Sequence, residues 1–132
     1  MRCRKVVNVS SIAELGGNTG QVNYAAAKAG VAGLTKTIAK EWGRYNVTVN
    51  TMAFGYIKAR LTESDGDDAR IDVAGNSIRV GMSAARRDDR MADPPRPRRN
   101  ASGCRGSVYL LCLPELDYIS AQTVVCGGGS FI

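Results

Sequence analysis

The chain has 132 residues, 44% of them apolar, enough to bury the core of one domain and too few for two. That apolar share excludes wholesale disorder, no apolar run reaches membrane-spanning length, and residues 1–5 carry no secretory signal pattern. The formal charge of +6 is concentrated in residues 86–105, where seven arginines against three aspartates supply +4. That segment has three prolines, no interleaved aromatics and no amphipathic period, so a nucleic-acid partner is not expected.

In chain order, residues 5–10 read as a buried strand that enters a glycine-rich turn over residues 16–20. From Asn23 to about Trp42 the pattern becomes helical. Val31, Leu34, Ile38 and Trp42 recur at three and four residues, with Lys36, Lys40, Glu41 and Arg44 on wetter faces. Gly30 and Gly33 each cost roughly 1 kcal/mol of helix propensity relative to alanine, which predicts the close approach of another backbone. Residues 43–46 end the helix, residues 47–52 form a second strand, and Phe54 with Gly55 breaks it. Strand, helix and strand at this spacing make a βαβ unit and so a parallel sheet.

Residues 71–80 alternate weakly about Gly75 and Asn76, a small surface hairpin. Residues 82–106 show no period. Residues 108–113 resume as the apolar end of a helix stopped by Pro114, and residues 122–126 are a third parallel strand before Gly127, Gly128 and Gly129. The fold class is α/β, a partial Rossmann-like parallel sheet with flanking helices. Cys3, Cys104, Cys112 and Cys126 have no paired spacing and no histidine beside them. No metal site is expected, and free thiols suit a cytoplasmic chain without a membrane partner.

The stretch QVNYAAAKAG, residues 21–30, sets a phenol and an ammonium one helical turn apart. An ammonium beside a phenol favours phenolate, as proton transfer near neutral pH requires. Ser11 ends the first strand, at the carboxyl edge where open parallel sheets bind ligands. These groups handle protons but store no hydride, so redox chemistry would need a bound cofactor. The spacing alone equally describes a surface pair and a turn serine.

The text NVSSIAELGGNTGQVNYAAAKAGVAGLTKTIAKEWGRYNVTVN resembles the nicotinamide-dependent short-chain dehydrogenase/reductase family, in particular its 3-oxoacyl-carrier-protein reductase-like members. The family's serine precedes its tyrosine by thirteen residues and its lysine follows by four, which falls on Ser11, Tyr24 and Lys28. The resemblance implies that Ser11 polarises a substrate carbonyl, that Tyr24 transfers the proton, and that Lys28 holds the nicotinamide ribose. It implies NAD or NADP as cofactor and an acyl thioester or other small carbonyl compound as substrate. Residues 53–59 resemble the family's cofactor-contacting loop. Phe54 stands where proline is usual, Gly55 allows close backbone approach, and Ile57 offers a main-chain contact. Ala59 replaces the usual threonine. LLCLPELDYISAQTVVCGGG resembles the closing helix-to-strand segment, with Ala121 for the usual glycine and Cys126 for the usual aspartate.

The family's glycine-rich cofactor turn, G-x-x-x-G-x-G opening a helix, has no counterpart here. The expected organisation is therefore one truncated domain over residues 1–132, resembling the carboxyl-terminal half of the family and lacking the first nucleotide-binding half. It comprises a catalytic βαβ region at 6–61, an irregular basic segment at 82–106 with the look of a disturbed reading frame, and a closing helix and strand at 107–132. Two functions follow: an oxidoreductase-family polypeptide inactive by itself, or a non-catalytic oligomerisation module that joins copies of itself or related full-length subunits. The first strand, expected in a sheet interior, is left with one unpaired edge.

Overall fold

The computed structural model describes residues 3–57, 70–79 and 101–129. Its centre is a parallel sheet of three strands, β1 (Arg4–Ser11), β2 (Val47–Phe54) and β5 (Thr123–Cys126), in the order β1-β2-β5. β1 and β2 pair from Arg4 opposite Val47 to Ser11 opposite Phe54, and β2 and β5 pair from Thr51 opposite Thr123 to Phe54 opposite Cys126. Between β1 and β2 the chain forms a short helix, α1 (Ala13–Gly16), and a long one, α2 (Val22–Trp42), finished by a 3-10 turn over Gly43–Tyr45. Asn46 leaves that turn at φ 58°, a left-handed conformation that asparagine tolerates. The α/β class and the three parallel strands agree with the sequence reading, and α1 is an element that reading did not assign.

β2 is the middle strand, and all but its last residue are buried. The strand pleat sends alternate residues to opposite faces. Val47, Val49, Thr51 and Ala53 share a face with Arg4, Val6, Asn8 and Ser10 of β1, and α2 packs there. The apolar contact is made by Ala39, Val47 and Val49 with Val6, Ile38 and Ala121 around them. Polar groups on the same face are satisfied internally. Thr35 Oγ1 donates to the Val31 carbonyl at 2.8 Å, receives Asn8 Nδ2 at 2.8 Å, and lies 2.6 Å from Thr51 Oγ1. A hydroxyl has one proton and two lone pairs, so Thr51 must be the donor in that last pair.

The other face of β2 carries Thr48, Asn50, Met52 and Phe54, and it receives the closing segment. This comprises α3 (Ala101–Leu110), a 3-10 turn at Pro114–Leu116, and the loop into β5. Asn50 clamps that loop: its Nδ2 donates to the Ile119 carbonyl at 2.8 Å and its Oδ1 accepts the Gln122 amide at 3.1 Å. Lys5 pairs with Asp117 on this side at 2.5 Å.

Three expectations are corrected. The buried seam of α2 is Thr35 and Ala39, whereas Leu34 is 53% exposed and Trp42 also faces water. A face as narrow as two strands accepts small residues under the helix and leaves the larger ones outside. Among the described residues, Gly30 and Gly33 meet no heavy atom outside their own helix backbone within 4 Å of where a Cβ would sit, so no other described segment approaches them. The last helix begins at Ala101, inside the segment read as irregular; residues 82–100 lie outside the described residues. A separate two-stranded hairpin, β3 (Arg70–Val73) with β4 (Asn76–Arg79), turns at Ala74 and Gly75 with φ 52° and 80°. The expected hairpin is there, its turn one residue earlier. No described helix is long and apolar enough to cross a membrane.

Candidate active site

The carboxyl ends of β1, β2 and β5 lie side by side and are stitched together. The Ile12 amide donates to the Phe54 carbonyl at 3.0 Å, and the Gly55 amide donates to the Cys126 carbonyl at 3.1 Å. This is the edge at which open parallel sheets present ligand sites. Ser11 stands at the exit of β1, and its Oγ accepts the Ala13 amide at 3.2 Å, satisfying a first-turn donor of α1. That bond uses a lone pair and leaves the hydroxyl proton available to a substrate oxygen.

The preceding serine fixes the geometry around it. Ser10 is buried, and its hydroxyl donates to the Glu14 carboxylate, with the Lys28 carbonyl oxygen a further 3.3 Å acceptor. One strand residue thereby gathers α1 and the second turn of α2. The start of α2 has no side-chain cap from Gln21, and Asn23 Oδ1 instead accepts the Tyr24 amide at 2.9 Å. Asn18 Nδ2 holds Gln21 Oε1 at 2.6 Å, which steadies the turn before the helix.

Lys28 reaches from this helix back to the strand. Its Nζ donates to the Val9 carbonyl at 3.3 Å and lies 5.7 Å from the centroid of the Tyr24 ring. The distance is within cation–π range, and the ammonium carries three donors, of which one is used on Val9. Tyr24 is 41% exposed, so its ring is open to a ligand as well as to the ammonium. The expected pair is therefore brought together, and brought to the end of β1. Ser11 and Tyr24 are not joined by a direct hydrogen bond; the link between them runs through Val9 and Lys28.

Gly55 and Ile57 follow β2 as half-buried irregular chain. The Gly55 amide is spent on β5, so a ligand would meet its open α-carbon rather than its N–H. Sequence reading missed Glu14 and the buried role of Ser10. Their spacing of four hinted at contact, but the strand-to-helix break between them hid it. Among the described residues, no three potential metal-ligating side chains converge. A shallow cavity bordered by Arg4, Lys5, Trp42 and Tyr45 lies at the opposite, amino edge of the sheet and shares no residue with this site.

Comparison with known proteins bears on the family. The family described as short chain dehydrogenase matches residues 4–70, just over half of the chain. The chain is 39% identical over 131 residues to the 3-oxoacyl-[acyl-carrier-protein] reductase FabG of Vibrio harveyi, covering 99% of this chain and 47% of that protein. It is 38% identical over 128 residues to the FabG of Vibrio cholerae, covering 97% of this chain and 46% of that protein. With the corresponding reductase of Synechocystis the identity rises to 52% over 60 residues, 46% of this chain and 24% of that protein. The chain thus spans about half the length of the curated relatives it matches. By its matched residues and its parallel βαβ architecture, this chain belongs to the short chain dehydrogenase family.

Proposed function

We propose that this chain carries the proton-handling part of an NAD(P)-dependent oxidoreductase site, acting on a carbonyl or alcohol, with a 3-oxoacyl thioester as the substrate class. The observation that carries the reading is Lys28, whose ammonium spans the Val9 carbonyl and the Tyr24 ring at the strand end that Ser11 completes. Ser11 donates its remaining proton to the substrate oxygen. Tyr24 supplies a proton to that oxygen in reduction and removes it in oxidation. Lys28 stabilises the phenolate left behind and offers its two other donors to ribose hydroxyls. Charge developing on the substrate oxygen is met by hydroxyls already held by a strand end and a helix, with little reorganisation.

A bound nicotinamide would supply the hydride. The residues here suit the nicotinamide end of such a cofactor: Tyr24, Lys28, and the approach at Gly55 and Ile57. Its pyrophosphate and adenine would be held by a glycine-rich turn that these 132 residues do not contain. The chain alone is accordingly expected to show no turnover. The test is a fusion of this chain behind the amino-terminal half of the Vibrio harveyi relative, assayed with reduced nicotinamide cofactor and a 3-oxoacyl thioester. Turnover by the fusion, absent from the chain alone and lost in Y24F, is expected. Turnover by the chain alone, or a Y24F fusion as active as the parent, would overturn the reading.

A second reading is favoured by the surface of α2, where no described residue stands before Gly30 and Gly33 and Leu34 is exposed. That surface suits an oligomerisation module docking on a second copy or a related full-length subunit. Co-sedimentation with a full-length relative, abolished by G33W, supports it; a chain that stays monomeric beside the relative excludes it.

A further inference from the structure

Cys104 on α3 and Cys126 at the end of β5 are distant in the chain and adjacent in the fold. Cys126 pairs with Phe54, so its side chain shares the sheet face of Asn50 and Met52, opposite α2. α3 packs against β2, and Cys104 is a buried residue of that helix, 9% exposed. Cys126 thus lies on the sheet face that α3 covers, with its thiol within electrostatic reach of Cys104. Burial first, and then the charge and hydrogen bonding of the Cys126 thiol, push the Cys104 thiol above its ordinary range. Both are free, Cys126 is half-buried, and neither takes part in the chemistry proposed above. The other cysteines stand apart: Cys3 precedes β1, and Cys112 is exposed beyond the end of α3.

We propose that Cys104 and Cys126 form an oxidisable pair, which a small-molecule disulfide such as oxidised glutathione closes into an internal disulfide. Cys126 is the more accessible sulfur and reacts first. Its thiolate attacks one sulfur of oxidised glutathione, breaking that S–S bond, expelling one glutathione thiolate and leaving a mixed disulfide on Cys126. Cys104 then gives its proton to water, attacks the Cys126 sulfur and expels the second glutathione thiolate. Two protein thiols are oxidised to one disulfide, one glutathione disulfide is reduced to two glutathiones, and the protons end on them. Burial keeps Cys104 protonated and makes it a poor first nucleophile, which fixes the order of the steps.

The bond would tie α3 to the strand end whose carbonyl, on Cys126, holds the Gly55 amide. An effect on cofactor affinity rests on the reading of Gly55 given above; the disulfide itself does not. The test uses the full chain with the C3S and C112S substitutions, exposed to oxidised glutathione, quenched with acid and mapped by mass spectrometry without reduction. The expected product is a peptide joining Cys104 to Cys126, lighter by two hydrogens and opened by dithiothreitol. Adding C104S should leave glutathione on Cys126, and adding C126S should leave Cys104 as a thiol. The unsubstituted chain should yield the same joined peptide and none involving Cys3 or Cys112. Stable glutathione on Cys126 beside a reduced Cys104, or mixed pairings in the unsubstituted chain, would overturn the proposal. Because the readout is mass, its failure is distinct from failure of the catalytic reading.

Discussion

The hydroxyls of Thr35 and Thr51 lie 2.6 Å apart, and the first serves as acceptor to both the second and the Asn8 amide. Replacing Thr35 with valine keeps the shape and removes that acceptor. A buried donor left unpaired costs about 1–3 kcal/mol, so T35V is expected to lower unfolding free energy by about 2–4 kcal/mol. Urea denaturation should show a lower midpoint at unchanged slope, with T35S retaining most of the stability.

Thr48 is the counter-case on the other face of the same strand. It is buried and, among the described residues, its Oγ1 has no hydrogen-bond partner. T48V removes a desolvated hydroxyl without orphaning anything, and is expected to raise stability by about 1 kcal/mol. The same denaturation measurement, run beside T35V, separates the two effects by sign.

Ala121 adopts φ 63° where the chain turns into β5, a conformation glycine enters without a Cβ penalty. Left-handed backbone costs an ordinary residue roughly 1–2 kcal/mol, partly offset by the unfolded-state freedom of glycine. A121G is therefore expected to stabilise the fold by about 0.5–1 kcal/mol. The check is a higher thermal midpoint.

Under the proposed function, Lys28 is the residue at which stability and turnover should separate. Its contacts are one long hydrogen bond and one cation–π approach at a partly exposed site, worth about 1 kcal/mol or less together. K28M in the fusion described above is expected to change the melting temperature little while reducing turnover by about 10²-fold or more. Comparable loss of both would assign Lys28 a purely structural part.

Cys104 gives the chain a pH dependence of known sign. Its folded thiol is held above its unfolded range, chiefly by burial. The protonated form fits the folded state, so this contribution is fully present below the ordinary thiol value of 9.0. It is lost as pH rises from there through the folded value. Thermal midpoints taken across this window should fall for the parent chain and fall less for C104A.

The parts of the fold legible in the sequence are those whose cause is local. β-branched runs bounded by glycine and asparagine marked β1 and β2, and a helical period between them implied parallel pairing. The α2 seam was misread because periodicity ranks residues by apolarity, whereas the sheet beneath selected Thr35 and Ala39 for their size and bonding. α1 is too short to show a period, and an arginine-rich neighbourhood concealed the start of α3. At the site, the spacing of Tyr24 and Lys28 foretold their proximity because a helix guarantees it. The reach of Lys28 to Val9 and the Ser10–Glu14 bond depend on how helix and strand pack, which no local pattern encodes.

The stitched strand ends have a mechanical consequence. Ser11 is joined by one peptide to Ile12, whose amide donates to the Phe54 carbonyl of β2, and Gly55, one residue past β2, donates its amide to the Cys126 carbonyl of β5. A shift of β5 along its axis would therefore be transmitted through two short backbone bonds toward the serine hydroxyl, without passing through any loop. Substitutions under the outermost strand should register as changes of alignment at Ser11 long before they register as unfolding.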